Sequence, residues 1–450
     1  MSAKDPFTRD IKVGEDWTIP NSNGIGRRTI VEGAVWTVPV VAFATNASAA
    51  AASATPTLEF TQPSYSGVAC GTISNVVVQL TTDGTTPAGA GQQIDVTLPS
   101  GWTFADGSTV YSWPTDGTGS ITLPDITVPI GGGDGTILAS SGSLTNTAGV
   151  SAPTVTVAKT TSFSNGVATN DTADQVPSGS TVVGWGSFLA PNGDLYHAND
   201  LWASNVTSAD VQHIDSPAPA DFLTYVENGV AKTTSFSNGV ATNDTADQVP
   251  SGSTVVGWGS FLAPNGDLYH ANDLWASNVT SADVQHIDSP APADFLTYVE
   301  NGVAKTTSFS NGVATNDTAD QVPSGSTVVG WGSFLAPNGD LYHANDLWAS
   351  NVTSADVQHI DSPAPADFLT YVENGVAKTT SFSNGVATND TADQVPSGST
   401  VVGWGSFLAP NGDLYHANDL WASNVTSADV QHEDAPSPAD FLTYVEKACA

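Results

Sequence analysis

Along most of the chain, apolar and polar residues alternate with a period of two. The runs are short and are broken by Gly, Pro, Asn-Gly and Asp-Gly. From residue 55 they read TLEFTQ, NVVVQLTT, QQIDVTLP, GSITLPDITV, GTILASSG and APTVTVA. Strands of this length and spacing over about a hundred residues predict an antiparallel sandwich. In QQIDVTLP, Ile94, Val96 and Leu98 alternate with Asp95 and Thr97, so the apolar side chains face a core that Trp102 caps. No segment carries a convincing 3.6-residue period, and the expected class is all-β.

The rest of the chain repeats itself. The string beginning VAKTTSFSNGVATNDTAD starts at Val157, Val230, Val303 and Val376, a period of 73 residues. Three copies are identical; the last departs at Glu433, Ala435, Ser437, Lys447 and Ala448. Within a copy, Phe222–Glu227 and Val230–Phe236 flank Asn228-Gly229, a two-residue hairpin signal whose turn needs positive φ. Thr181–Ala190 and Asp194–Ala203 flank Pro191-Asn192-Gly193, a second hairpin, and Val211–Asp215 reads as a fifth strand. Ser164–Ser180 reads as a polar connection, with Pro177 against a strand near its end. VVGWGS…FL…NGDLY also echoes VQHIDS…FL…NGVAK within one copy.

The phase of the repeat bears on architecture. The first copy opens on the second arm of the Asn-Gly hairpin, and the last ends on a first arm, Phe441–Glu446. A linear array of small β-domains leaves two orphan edges. A closed ring, as in a β-propeller, pairs Phe441–Glu446 with Val157–Phe163. Such a ring has four five-stranded blades, or eight smaller ones if the internal echo marks a blade. Closure also brings Cys449 toward the sandwich, within reach of Cys70 for a disulfide; an extended array favours pairing between molecules or free thiols.

The chain has 450 residues with 10 Lys+Arg against 45 Asp+Glu, a net charge of −35. Nucleic-acid binding is excluded, because phosphate neutralisation needs clustered bases. Half of the basic residues lie at the front: Lys4, Arg9, Lys12, Arg27 and Arg28. There Arg27-Arg28 precedes a modest apolar run, Gly33–Thr45, and an alanine-rich tract ending at Ala54. Those are the three parts of a twin-arginine export signal. The apolar run is shorter than the ~20 residues of a membrane span and contains Pro39. The wording RRTIVEGAVWTVPVVAFAT resembles the signals of secreted actinobacterial proteins. The expected division is therefore a signal and linker at 1–54, a sandwich at 55–156 and a β-repeat domain at 157–450.

Three further stretches carry a resemblance. VVVQLTTDGTTPAGAGQQIDVTLPSGWTFADGS, TDGTGSITLP and ILASSGSL…APTVTV resemble the bacterial immunoglobulin-like domains of the invasin and intimin type. That resemblance implies a stalk or spacer at a cell surface and carries over no catalytic residue. The strand-and-hairpin echo in the repeats is faintly similar to propellers of the regulator-of-chromosome-condensation type.

Candidate chemistry is sparse. No nucleophile elbow, Walker loop or zincin motif occurs. Each copy holds two histidines, His197 and His213 in the first, with Asp194, Asp200, Asp210 and Asp215 near them. On a strand Asp194 and His197 face opposite ways, against a metal site, and hydrogen-bonded or solvated histidine is the default. Asp171 and Asp174 offer oxygen ligands for calcium, without an EF-hand pattern; otherwise no cofactor is expected. Trp185, Tyr196, Trp202 and Tyr225 recur in every copy, as blade core or as platforms for sugar rings. The strip Asn192, Asp194, Tyr196, His197, Asp200 and Trp202, with its copy Asn265, Asp267, Tyr269, His270, Asp273 and Trp275, is the candidate ligand site. Four equal sites would act by avidity. The sequence thus points to a secreted, non-catalytic surface or adhesion protein that binds a cell-surface glycan or protein. A propeller-type glycan hydrolase or lyase and a structural envelope spacer are the alternatives.

Overall fold

The computed structural model describes residues 55–450, apart from residues 165–166, 174, 215–218, 238–239, 288–291, 311–312, 320, 361–364, 384–385, 393 and 434–437. The export signal, with Arg27 and Arg28, lies outside the described residues. The described chain is all-β, and no helix in it is long and apolar enough to cross a membrane.

Residues 57–152 form a sandwich. A five-stranded sheet, ordered Ser64–Ser66, Leu144–Ala152, Gly133–Ser141, Gln93–Thr97 and Val110–Pro114, faces two three-stranded sheets. Ile94 and Val96 are fully buried and Leu98 and Trp102 nearly so, in one apolar cluster spanning both layers. Two details differ from the sequence pattern. Ser64–Ser66 pairs parallel to Gly149–Ser151, so the sandwich is not purely antiparallel. The run GSITLPDITV splits at Pro124 into Ser120–Thr122 and Ile126–Thr127, which join different sheets. Proline lacks the N–H that a continuous ladder would need there.

The repeats build a circle of eight four-stranded blades. In the second copy Thr254–Gly257, Ser260–Leu262, Leu268–His270 and Asp273–Ala276 form one antiparallel meander. Val279–Ile287, Ala293–Glu300, Val303–Ser310 and Val313–Thr318 form the next. The two long strands expected around Pro191-Asn192-Gly193 are therefore four short ones. Ala198 and Asn199 both take positive φ and fold the chain back between His197 and Asp200. The polar connection Ser164–Ser180 likewise contains a strand, Val167–Thr172, on the outer edge of its blade.

The first strands of successive blades run parallel beside one another, with Gly184 against Val211 and Gly257 against Val284. The internal echo is this relation: VVG and VQHI both lie on the first strands of their blades. Gly184 is required, since a Cβ there would lie 2.3 Å from the Val211 carbonyl oxygen at φ +125°.

The ends of the repeat meet. Thr156–Ser164 pairs antiparallel with Ala439–Lys447, Val157 opposite Glu446 and Ser162 opposite Phe441. One blade is thus made of two strands from each end of the repeat region. Around the axis Gln212 donates to the Val284 carbonyl, Gln285 to Val357 and Gln358 to Val430. Gln431 donates back to Val211 and closes the circuit. No single sheet curls into a barrel; the blades make the circle. Beside the junction Cys70 and Cys449 form a disulfide with a Cα separation of 5.2 Å, and Gly131 N–H donates to the Ala448 carbonyl.

Candidate functional site

Every copy builds the same polar network where its two blades meet. In the first copy Ser187 Oγ lies 2.7 Å from His197 Nδ1, and His197 Nε2 lies 2.9 Å from Asp221 Oδ2. His213 Nδ1 reaches the other carboxylate oxygen at 2.6 Å. Ser187 and His197 come from the first blade, and Asp221 and His213 from the second. Burial pushes the Asp221 carboxyl up, but the hydrogen bonds and charges of the two histidines outweigh it, and it settles at about 2. Asp294, Asp367 and Asp440 behave alike.

Serine, histidine and aspartate within hydrogen-bond reach suggest nucleophilic catalysis, and the details argue against it. Ser187 is fully buried, and its hydroxyl donates to the Trp185 carbonyl at 2.7 Å. Its oxygen is then the acceptor for a proton on His197 Nδ1, the reverse of activation by a base. His197 is held from both sides, by Ser187 at Nδ1 and by Asp221 at Nε2. The network ties blade to blade.

The aromatic residues do the same. Trp185 stacks between His213 at 4.3 Å and Phe441 of the preceding blade at 4.0 Å, so both faces of its ring are covered. Trp258, Trp331 and Trp404 are enclosed in the same way. Trp202 donates its indole N–H to the His197 carbonyl and meets the edge of Phe236. Tyr225 is buried, with its hydroxyl on Thr234. Trp185 and Tyr225 are blade core.

The strip chosen from sequence is dispersed. Asn192 and Asp194 bond to each other in an exposed turn at one end of Leu195–His197. Asp200 lies at the opposite end, exposed. Tyr196 is half-buried against the core between blades, and His197 is inside the network. Asn265, Asp267, Tyr269, His270, Asp273 and Trp275 repeat this pattern. For calcium, Asp171 is exposed while Asp174 lies outside the described residues. Among the described residues no group of three or more acidic, His or Cys side chains is placed to hold a metal.

The concave site lies elsewhere, where each copy's first blade meets the blade before it. Four equivalent clefts of between 250 and 280 Å³ occur there. One is lined by Thr160, Ser162, Thr169 and Asp171 on its outer side and by Trp185, Phe188, His197, Asn199, Asp221 and Phe441 toward the core. Among the described residues the enclosed Oδ1 of Asn199 meets no hydrogen-bond partner, and Asn272, Asn345 and Asn418 share this feature. Of the chosen strip, His197 alone lines the cleft. Phe441, Asp221 and Thr160 come from distant segments, and only the blade phase could have brought them together on paper.

No family model and no curated protein matches this chain. Among solved structures it is similar to invasin, a bacterial integrin-binding protein, at 14% identity over 75% of this chain and 78% of that one, TM-score 0.19. A DUF4623 family protein from Bacteroides eggerthii aligns at 8% identity over 87% and 94%, TM-score 0.27. A quinonprotein alcohol dehydrogenase-like protein from Bacteroides thetaiotaomicron aligns at 10% over 74% and 95%, TM-score 0.19. At such scores the likeness is one of β-strand content and carries no argument about this chain's activity.

Proposed function

We propose that this chain is an exported, non-catalytic surface protein of the adhesion type, in which a sandwich carries a ring that binds glycans through four equivalent clefts. The observation that carries the reading is the four-fold recurrence of one cleft with the same aromatic, hydroxyl and carboxylate lining. Polar groups grouped over an apolar wall suit a polyhydroxylated ligand. Four identical weak sites on one body gain by effective concentration, where an enzyme needs only one constellation. The buried state of Ser187, with its hydroxyl committed to a carbonyl, supports binding without turnover.

The test is a glycan array probed with the full chain, followed by turnover assays on every glycan retained. Retention that falls sharply when immobilised density is lowered, with no product formed, is the expected result. Cleavage of a retained glycan would replace this reading with the hydrolase or lyase one.

A further inference from the structure

We propose that each of the four clefts takes a protonated primary amine, which under the glycan reading above, on which this inference rests, is an amino sugar with its amine free. The argument is one of charge and hydrogen-bond inventory. Thr160 and Ser162 alternate on one strand and Thr169 and Asp171 on its neighbour, with Thr160 opposite Asp171 and Ser162 opposite Thr169. All four therefore project from the same face, the one that lines the cleft. Asp171 is exposed, and its Oδ1 accepts from the Thr172 N–H at 2.9 Å. Asp221 also lines the cleft, with its two oxygens held by His197 and His213.

Among the described residues, no lysine or arginine lines any of the four clefts. Lys159, next to Thr160 in sequence, faces the other side of its strand and pairs with Glu446; Lys232, Lys305 and Lys378 pair likewise with Glu227, Glu300 and Glu373. The cleft thus offers the Asp171 carboxylate and a group of hydroxyl acceptors with no lysine or arginine beside them. An ammonium has three donors and no acceptor, the complement of that lining. Trp185 and Phe441, stacked on each other, close the inner wall with apolar surface. A uronic acid or a phosphorylated sugar would meet like charge, in a molecule whose net charge is −35.

The experiment is titration calorimetry on the full chain with glucosamine, N-acetylglucosamine, glucose and n-butylamine at low ionic strength. Glucosamine is expected to bind near four equivalents, at least tenfold tighter than N-acetylglucosamine or glucose, and to weaken with added salt. The combined variant Asp171→Asn, Asp244→Asn, Asp317→Asn and Asp390→Asn changes only exposed side chains and is expected to lose at least tenfold while its unfolding temperature stays put. Equal binding of glucosamine and N-acetylglucosamine overturns the amine and leaves the glycan reading standing. n-Butylamine binding as tightly as glucosamine upholds the amine and overturns the glycan reading. Absence of binding by all four compounds, or full affinity in the four-fold variant, overturns the inference.

Discussion

In the sandwich, Leu58, Ile94, Trp102, Ile126 and Val150 belong to one apolar cluster, and the buried polar side chains there are Thr81 and Thr115. In the ring, the apolar residues fall into eight small clusters, each lying between two neighbouring blades. Buried serine, threonine and histidine recur in every unit. Facing sheets exclude water with a largely apolar interior, so the sandwich is expected to behave as one cooperative body. Blades meet their neighbours over narrow wedges, and polar contacts supplement each apolar interface. Thr224 accepts from Gly259 N–H, Ser208 from Val255 N–H, and the Asp221 network crosses between blades. The ring is thus closer to a sum of neighbour terms, as in repeat proteins, but with its ends joined.

The largest expected effect on this contrast is the combined change of Asp221, Asp294, Asp367 and Asp440 to Asn. Each loses charge-assisted bonds to two histidines, about 3 kcal/mol per copy. Four copies exceed what most domains have in reserve. Scanning calorimetry should then show the ring transition abolished and the sandwich transition retained. A ring that still melts within a few degrees of the parent would mean that the network is incidental.

Acid should separate the two regions next. The Asp221 carboxyl sits at about 2, below its ordinary 3.8, so its contribution is complete above that ordinary value and is lost as pH falls through 2. Each such carboxylate stands for roughly 2 kcal/mol. The lowered carboxyls of the sandwich, Asp83, Asp106 and Asp116, lie in exposed turns where threonine or serine groups donate to them. The ring transition should therefore drop further than the sandwich transition between pH 4 and pH 2 in circular dichroism melts. Equal drops would remove the distinction.

Trp102→Ala tests the other side. It opens a cavity in the single apolar cluster and should cost about 3–5 kcal/mol, confined to the sandwich transition. Trp102 is 2% exposed, and its loss leaves no polar network to compensate. A matching shift in the ring transition would show the two regions to be one folding unit. The smallest effect expected is that of Cys70→Ser with Cys449→Ser. The bond spans 379 residues and fastens the last strand of the ring beside the sandwich. Its removal should cost about 2–4 kcal/mol, read in the calorimeter as a lowered ring transition with the sandwich transition in place.

Much of the fold is legible in residues that act locally. Asn228 and Gly229 take φ of 52° and 76°, as the Asn-Gly hairpin requires. Ile94, Val96 and Leu98 face the core as their alternation demands. The orphan arms at Val157 and Phe441 are partners in the closing blade. The site was far less legible. His197 could be named, but its partners Ser187 and Asp221 lie 10 and 24 residues away, on different strands. Trp185 has the look of a sugar platform in sequence, and only the stacked rings of His213 and Phe441 show that neither face is free.

The sequence alone determined the all-β class, the period of 73 residues, the hairpins and the phase that calls for closure, because turn conformation and strand alternation depend on a few adjacent residues. Tertiary structure decided the eight blades, the pairing of one aspartate with two histidines and the position of the four clefts. Those depend on which faces meet across a blade boundary, and residues far apart in the chain, such as Thr160, Asp221 and Phe441, meet only there.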